Sequence, residues 1–145
     1  MEMENIRNMR KVNSIFIVDD DPITVFGIKK VLKPVAQCDD VQIFQNGKEA
    51  FDALLERTSK EMEVPGVIFL DINMPIMDGW DFLEELIALD LDQKITINMI
   101  TSSIDPLDYQ KWNSFKEKCA HTLNFKNKPI FKIEHSDLGD FDLAS

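Results

Sequence analysis

A chain of 145 residues with 44% apolar side chains can bury one core, and no linker or repeat divides it, so we expect one domain. The formal charge of -10 argues against nucleic acid or an anionic membrane as a partner and favours a protein or a cation. The apolar runs are too short to cross a bilayer, no signal segment follows Met1, and Cys38 and Cys119 lack metal-ligand spacing, so we expect a cytoplasmic protein with reduced thiols.

The first 13 residues are polar and Met-rich without a clear period, which predicts a flexible leader before a domain at residues 14–145. From Ser14 onward, short apolar runs alternate with longer amphipathic stretches, as is typical of an α/β fold with a parallel sheet. Five strands are predicted, at residues 15–18, 41–44, 67–70, 95–100 and 122–125.

Helices are predicted between these strands. The first covers residues 22–35, with Asp21 placed to cap it and Pro22 in its first turn. A second covers residues 48–62, a third carries an inward stripe from Trp80 to Ile87, and a fourth covers residues 106–118. The segment after Pro129 alternates more like a strand than it repeats like a helix, so its structure stays open.

Polar side chains follow the predicted strands at the edge where parallel sheets bind ligands. Asp19, Asp20 and Asp21 follow the first strand, Asp71 follows the third, Thr101 follows the fourth, and Lys128 lies just after the fifth. The sequence therefore predicts a cluster of acids with one hydroxyl and one ammonium group.

Such carboxylates would repel one another by about 4 kcal/mol per pair at 4 Å and an effective dielectric constant near 20. A divalent cation removes this repulsion, and ligands that are all oxygen favour Mg²⁺ or Mn²⁺ over zinc. A cation held by few carboxylates keeps open positions for phosphate oxygens, while Lys128 and the Thr101 hydroxyl could contact others. We therefore predict a site that receives a phosphoryl group.

Four motifs, "IFIVDDDP", "VIFLDINMPIMDG", "MITSS" and "KNKP", resemble in order and approximate spacing those of the receiver domains of two-component response regulators. The resemblance covers roughly residues 14–129 and is closest to stand-alone, chemotaxis-regulator-like receivers. It implies a doubly wound, flavodoxin-like fold whose five-stranded parallel sheet has the order 2-1-3-4-5 and helices on both faces.

The resemblance also implies roles for the site residues. Asp71 would accept a phosphoryl group from a sensor histidine kinase or a histidine phosphotransfer protein. Asp19, Asp20 and Asp71, with the main-chain carbonyl of Asn73, would hold Mg²⁺.

Thr101 and Lys128 would contact the phosphoryl group, and Thr101 and Phe125 would form the conformational switch. The protein would not be an enzyme; it would signal by binding a downstream protein target or relay its phosphoryl group, as a monomer or weak dimer. The segment at residues 104–127 is longer than in typical receivers, and the final segment lacks the period of a normal last helix.

Two other interpretations remain open. Asp19 and Asp21 form a D-x-D pair after a strand, as in haloacid dehalogenase-type phosphatases, although the later acidic motif of that family is missing. The chain could also be an interaction module with a vestigial pocket, which the intact Asp71, Thr101 and Lys128 argue against. His121 and His135 have no evident partners and are expected at the surface.

Overall fold

The computed structural model describes residues 9–139. Its elements, in chain order, are β1 (Arg10–Lys11), β2 (Ile15–Val18), α1 (Pro22–Leu32), β3 (Ala36–Gln37), β4 (Val41–Phe44), α2 (Gly47–Ser59), β5 (Val67–Asp71), α3 (Gly79–Ala88), β6 (Thr96–Thr101), α4 (Pro106–Lys118), β7 (Thr122–Asn127) and a 3-10 turn (His135–Leu138). Strands β4, β2, β5, β6 and β7 form one parallel sheet in that order. Counted along the chain, this is the order 2-1-3-4-5, so the predicted doubly wound, flavodoxin-like fold is confirmed.

Both faces of the sheet are covered. Helix α1 and the segment at residues 130–139, here called the C-terminal strap, pack on one face, and α2, α3 and α4 pack on the other. Every residue of β2, β5 and β6 is buried, as expected for central parallel strands covered on both sides.

Each of the four helices begins after a side chain that accepts a hydrogen bond from a main-chain N–H of its first turn. The capping residues are Asp21, Asn46, Asp78 and Asp105. Helix α1 ends at Leu32, three residues before the predicted end. Lys33 keeps helical backbone angles as the C-cap, but Pro34 has no N–H with which to continue the helical hydrogen bonds. These caps fix where each helix starts relative to the preceding strand.

The flexible leader predicted at residues 1–13 includes residues that belong to the folded domain. Arg10–Lys11 forms the strand β1, which pairs in parallel with β3, and the Arg10 guanidinium donates to the Gly139 carbonyl at 2.9 Å. This pairing uses main-chain groups, which polarity and periodicity do not reveal. Residues 1–8 of the predicted leader lie outside the described residues.

The C-terminal strap contains a 3-10 turn and no α-helix or strand. Ile133 and Leu138 are buried in it, and they pack into the same apolar cluster as α1. The strap therefore covers the face of the sheet on which α1 lies, although its sequence has the apolar periodicity of neither an α-helix nor a β-strand.

A polar network holds the strap against the sheet. Asn98, which is fully buried on β6, donates to the Asp137 carbonyl at 2.8 Å and accepts from Asn124 at 3.0 Å. The carboxylate of Asp137 pairs with Lys126 at 2.8 Å and accepts from Glu134 N at 2.7 Å. Because a buried amide without partners is costly, Asn98 makes the strap part of the folded domain.

His121 has a structural partner that the sequence did not indicate. Its Nδ1 accepts a hydrogen bond from the main-chain N–H of Ile95 at 2.9 Å, so the half-buried imidazole links the starts of β6 and β7. Burial lowers the pKa of His121, with a smaller contribution from the charge of Lys94. Among residues 9–139, no helix has the length and apolar character needed to span a membrane.

Candidate functional site

The carboxyl ends of β2 and β5 bring three predicted acids together. Val18 and Leu70 are register partners, so Asp19 and Asp71 follow at neighbouring positions of the sheet edge. In the described part of the chain, one carboxylate oxygen from each of Asp19, Asp20 and Asp71 lies within 4.8 Å of the others. The predicted acidic cluster is therefore present in the fold.

Two of these carboxylates are buried and one is exposed. Asp19 is 2% exposed and Asp71 is 4% exposed, whereas Asp20 faces solvent. Oδ1 of Asp19 accepts a hydrogen bond from Asp21 N at 2.8 Å. Oδ2 of Asp19 faces the Lys128 ammonium instead.

Lys128 lies beside the buried pair. Its Nζ is 3.0 Å from Oδ2 of Asp19 and 3.5 Å from Oδ1 of Asp71. Burial alone would lower the pKa of Lys128, but the adjacent Asp19 and Asp71 carboxylates outweigh it and raise that pKa. The ammonium group is thus held charged at the point where further negative charge would be added.

The buried acids carry more negative charge than Lys128 balances. The pKa of Asp71 is raised to about 6, chiefly by burial and then by the charge of Asp19, while Lys128 opposes both effects. Burial likewise raises the pKa of Asp19. Asp71 is therefore mostly ionised at neutral pH, but its ionised state is strained electrostatically, and a cation would relieve that strain.

These residues fit a divalent cation. The cluster offers carboxylate oxygens without nitrogen or sulfur ligands, the set that hard cations such as Mg²⁺ and Mn²⁺ prefer. Because Asp20 faces solvent, a cation held there could keep water ligands. Asn73 is exposed two residues after Asp71, and the part played by its carbonyl stays a prediction.

Thr101 ends β6 on the same edge of the sheet. It is fully buried, and its Oγ1 accepts a hydrogen bond from Ser103 N at 2.9 Å. Its carbonyl accepts from Lys128 N at 2.8 Å. The main chain therefore ties Thr101 to the residue whose side chain enters the acidic cluster.

Phe125 lies on β7 and is half-buried against α4. Its ring centroid is 5.8 Å from that of Tyr109 and 5.8 Å from that of Trp112. The aromatic contact with Tyr109 was not predicted, although Tyr109 and Trp112 lie on one face of α4 at i, i+3 spacing. The structure thus places the predicted switch residue among the aromatic side chains of α4.

Gly79, the last residue of the "VIFLDINMPIMDG" motif, positions Asp71. Its N–H donates to the Ile72 carbonyl at 2.8 Å as α3 begins. A methyl group on residue 79 would lie 2.5 Å from the Asp71 carbonyl oxygen and 2.9 Å from Ile72 Cα. Only glycine allows α3 to start this close to the strand that carries Asp71, and the Asp78–Gly79 pair at the end of the motif was the available signal.

Asp21 caps a helix, as predicted. Its Oδ1 accepts from Ile23 N at 3.0 Å and its Oδ2 accepts from Thr24 Oγ1 at 2.9 Å. The hydrogen bond from Thr24 lowers the pKa of Asp21 most, and the one from Ile23 N lowers it next. Asp21 therefore acts as a helix cap, and it is not one of the three residues of the acidic cluster.

A carboxylate cluster facing a lysine at the carboxyl edge of a 2-1-3-4-5 parallel sheet defines a receiver-type domain. The family model for the response regulator receiver domain matches residues 15–115. The chain belongs to this family, whose members are signalling modules that bind divalent metal and interact with histidine kinases or phosphotransfer proteins. The match ends before Phe125 and Lys128, so their positions rest on the structure and on the "KNKP" motif.

Curated relatives share this domain. Sporulation initiation phosphotransferase F of Bacillus subtilis is 29% identical over 99 residues, which cover 67% of this chain and 72% of that protein. A protein-glutamate methylesterase/protein-glutamine glutaminase of Methanococcus maripaludis is 36% identical over 78 residues, 51% of this chain. The chain spans only 19% of that second relative's length.

Solved structures have the same fold. A two-component response regulator from Cytophaga hutchinsonii matches with a TM-score of 0.69 and 25% identity, covering 89% of this chain and 92% of that one. The Mn²⁺-bound form of response regulator Rcp1 matches with a TM-score of 0.64 and 22% identity, covering 87% of this chain and 86% of that one. The second likeness concerns the fold alone.

Proposed function

We propose that this protein is phosphorylated on Asp71 by a histidine kinase or a histidine phosphotransfer protein in two-component signalling. The observation that carries the proposal is the placement of Asp71. It is a buried carboxylate at a rigid strand end, grouped with Asp19 and Asp20 and 3.5 Å from the Lys128 ammonium.

The reaction moves one phosphoryl group. A carboxylate oxygen of Asp71 attacks the phosphorus of the donor phosphohistidine, and a P–O bond forms as the P–N bond breaks. The electron pair of that bond stays on the imidazole, which takes a proton from solvent. The product is an acyl phosphate on Asp71, and the chain's own contribution is to position and neutralise charge.

Each neighbouring residue has a proposed part in that step. Lys128 neutralises one phosphoryl oxygen as a point charge, and the hydroxyl of Thr101 donates to another. Asp19, Asp20 and Asp71, with the carbonyl of Asn73, would hold Mg²⁺, with Mn²⁺ as a substitute. When bound, the cation neutralises negative charge that accumulates on the transferring oxygens.

The output of the domain is proposed to be non-enzymatic. Phosphorylated Asp71 would draw Thr101 inward, and Phe125 would change its packing on α4, so that a downstream protein target binds the altered surface. A relay to a further histidine is the alternative output, consistent with a relative named as a phosphotransferase. We further propose that the protein acts in the cytoplasm as a monomer or weak dimer.

Phosphorylation should require the metal and should stop at one group. We expect the protein incubated with Mg²⁺ and acetyl phosphate or phosphoramidate to gain the mass of one phosphoryl group, and to gain none after chelation. Asp71→Asn should gain none under either condition, because the amide is not a nucleophile for this transfer. Intact mass spectrometry measures both results.

The matched control is Asp92→Asn, which removes an exposed carboxylate outside the cluster and should be phosphorylated like the parent. If Asp71→Asn gained the same mass as the parent, the assignment of the phosphorylated residue would be wrong. Release of the label by hydroxylamine would identify an acyl phosphate.

Lys128→Ala should affect the response more than the fold. The ammonium group is partly exposed and balances charge, so its loss should leave the sheet folded, with the far-UV circular dichroism of the parent. Beryllofluoride, a phosphoryl mimic, should then cause few NMR shifts beyond the pocket in the variant and many in the parent. Equal shifts near Trp112 and Phe125 in both proteins would contradict this charge coupling.

A further inference from the structure

The loop after β6 is fastened to the end of β7 by a side-chain hydrogen bond that the proposed reaction does not use. Asn127 Nδ2 donates to the Ser103 carbonyl at 3.1 Å. Ser103 N in turn donates to Thr101 Oγ1 at 2.9 Å. One asparagine side chain therefore connects the strand end that precedes Lys128 with the loop that holds the Thr101 hydroxyl.

This connection depends on the identity of residue 127. The neighbouring bond from Lys128 N to the Thr101 carbonyl is a main-chain bond, which almost any residue at position 128 would make. Asn127 is exposed and lies outside both apolar clusters, so packing does not require a side chain of its shape there. What its amide contributes is a donor aimed at the loop.

We propose that Asn127 is a positioning residue that holds the loop of residues 101–103 in its resting arrangement and so sets how readily the domain switches. This inference rests on the proposed phosphorylation of Asp71. Drawing Thr101 toward a phosphoryl group moves the loop away from β7, so the Asn127–Ser103 bond opposes the change. A single hydrogen bond of ordinary net strength shifts such an equilibrium by about two- to tenfold.

The test compares beryllofluoride binding in the presence of Mg²⁺ for the parent, Asn127→Ala and Asn127→Leu. Both variants lack the donor. Alanine is smaller than asparagine, whereas leucine keeps the four branched side-chain heavy atoms and is larger, so agreement between the variants separates the hydrogen bond from side-chain size. We expect both to bind beryllofluoride about two- to tenfold more tightly than the parent. Asn113→Ala removes an exposed asparagine from α4 and should bind like the parent.

A second measurement tests whether the Asn127–Ser103 hydrogen bond restrains the loop when no phosphoryl mimic is present. In hydrogen–deuterium exchange, the amides of Ser103 and Ile104 should exchange about two- to tenfold faster in Asn127→Ala, while amides of β2 and β5 should not change. Unchanged exchange at Ser103, or variants that bind beryllofluoride as the parent does or more weakly, would overturn the inference. A parent that binds no beryllofluoride would instead overturn the proposed function, and the exchange result would still decide whether Asn127 restrains the loop.

Discussion

Asp71→Asn should be more stable than the parent protein near neutral pH when no divalent cation is present. The Asp71 carboxyl has a pKa of about 6 in the folded protein against an ordinary value of 3.8, mainly because it is buried and then because Asp19 is nearby. An upward shift of this size corresponds to about 3 kcal/mol that ionised Asp71 costs the folded state. Asparagine has nearly the same shape and carries no charge, so it removes this cost.

The pH dependence of the difference has a definite sign. Between pH 3.8 and about 6 the folded protein binds more protons at Asp71 than the unfolded chain does. The contribution of Asp71 to stability therefore falls as pH rises through this window and is constant above it. We expect Asp71→Asn and the parent to have similar free energies of unfolding near pH 3.8. Above about pH 6 the variant should be more stable by about 3 kcal/mol.

Urea unfolding followed by circular dichroism, with chelator, measures this difference. Added Mg²⁺ should stabilise the parent more than the variant and so narrow the gap, because a cation that binds only the folded cluster stabilises it by mass action. Asp92→Asn removes the same formal charge from an exposed position and should change stability little. Equal stabilities of parent and Asp71→Asn in chelator would show that the cluster is not under electrostatic strain.

Gly79→Ala should destabilise the protein strongly and slow its phosphorylation. The added methyl group would lie 2.5 Å from the Asp71 carbonyl oxygen and 2.9 Å from Ile72 Cα. These are main-chain atoms that cannot rotate away, so α3 or the end of β5 must move. We expect a loss of about 3 kcal/mol, the upper end for overpacking. Displacing Asp71 should also slow phosphorylation by acetyl phosphate about tenfold or more.

Gly27→Ala is the matched control because a methyl group on residue 27 of α1 would meet no atom within 4 Å apart from its chain neighbours and the backbone of its own helix. Replacing a helical glycine with alanine in open space should stabilise the protein by about 0.5–1 kcal/mol. The unfolding midpoint and the rate of mass gain should therefore both fall in Gly79→Ala, and neither should fall in Gly27→Ala. A Gly79→Ala protein with the parent's midpoint and rate would mean that α3 accommodates the methyl group without moving Asp71.

The sequence predicted the sheet and the cluster because both follow from short-range patterns. Runs such as residues 67–70 are apolar throughout, which marks buried parallel strands, and the parallel arrangement then brings Asp19 and Asp71 to one edge. Lys128 could be placed there because it follows the last strand directly. No side-chain geometry was needed for these inferences.

The features that the sequence did not reveal depend on contacts between distant residues. Asn98 stands in an otherwise apolar strand, and its partner Asp137 lies in the strap, so neither residue alone indicates the contact. The pairing of β1 with β3 uses main-chain groups, and His121 accepts from a main-chain N–H. Such hydrogen bonds leave no periodic signal, which is why the leader boundary and the setting of His121 were predicted wrongly.

The contact between Asn98 and the strap also gives a pattern for comparing receiver sequences across species. An asparagine in the fourth strand of the five-stranded sheet would be costly to bury unless the chain supplied a carbonyl for it, and here the residue that does so comes 39 positions later. A substitution at Asn98 therefore relaxes the constraint on the strap, and a change in the strap leaves Asn98 unsatisfied. Asn98 and the strap residue that accepts from it are expected to be gained and lost together during evolution. A homologue with an apolar residue in place of Asn98 does not need this strap and is free to end in a helix.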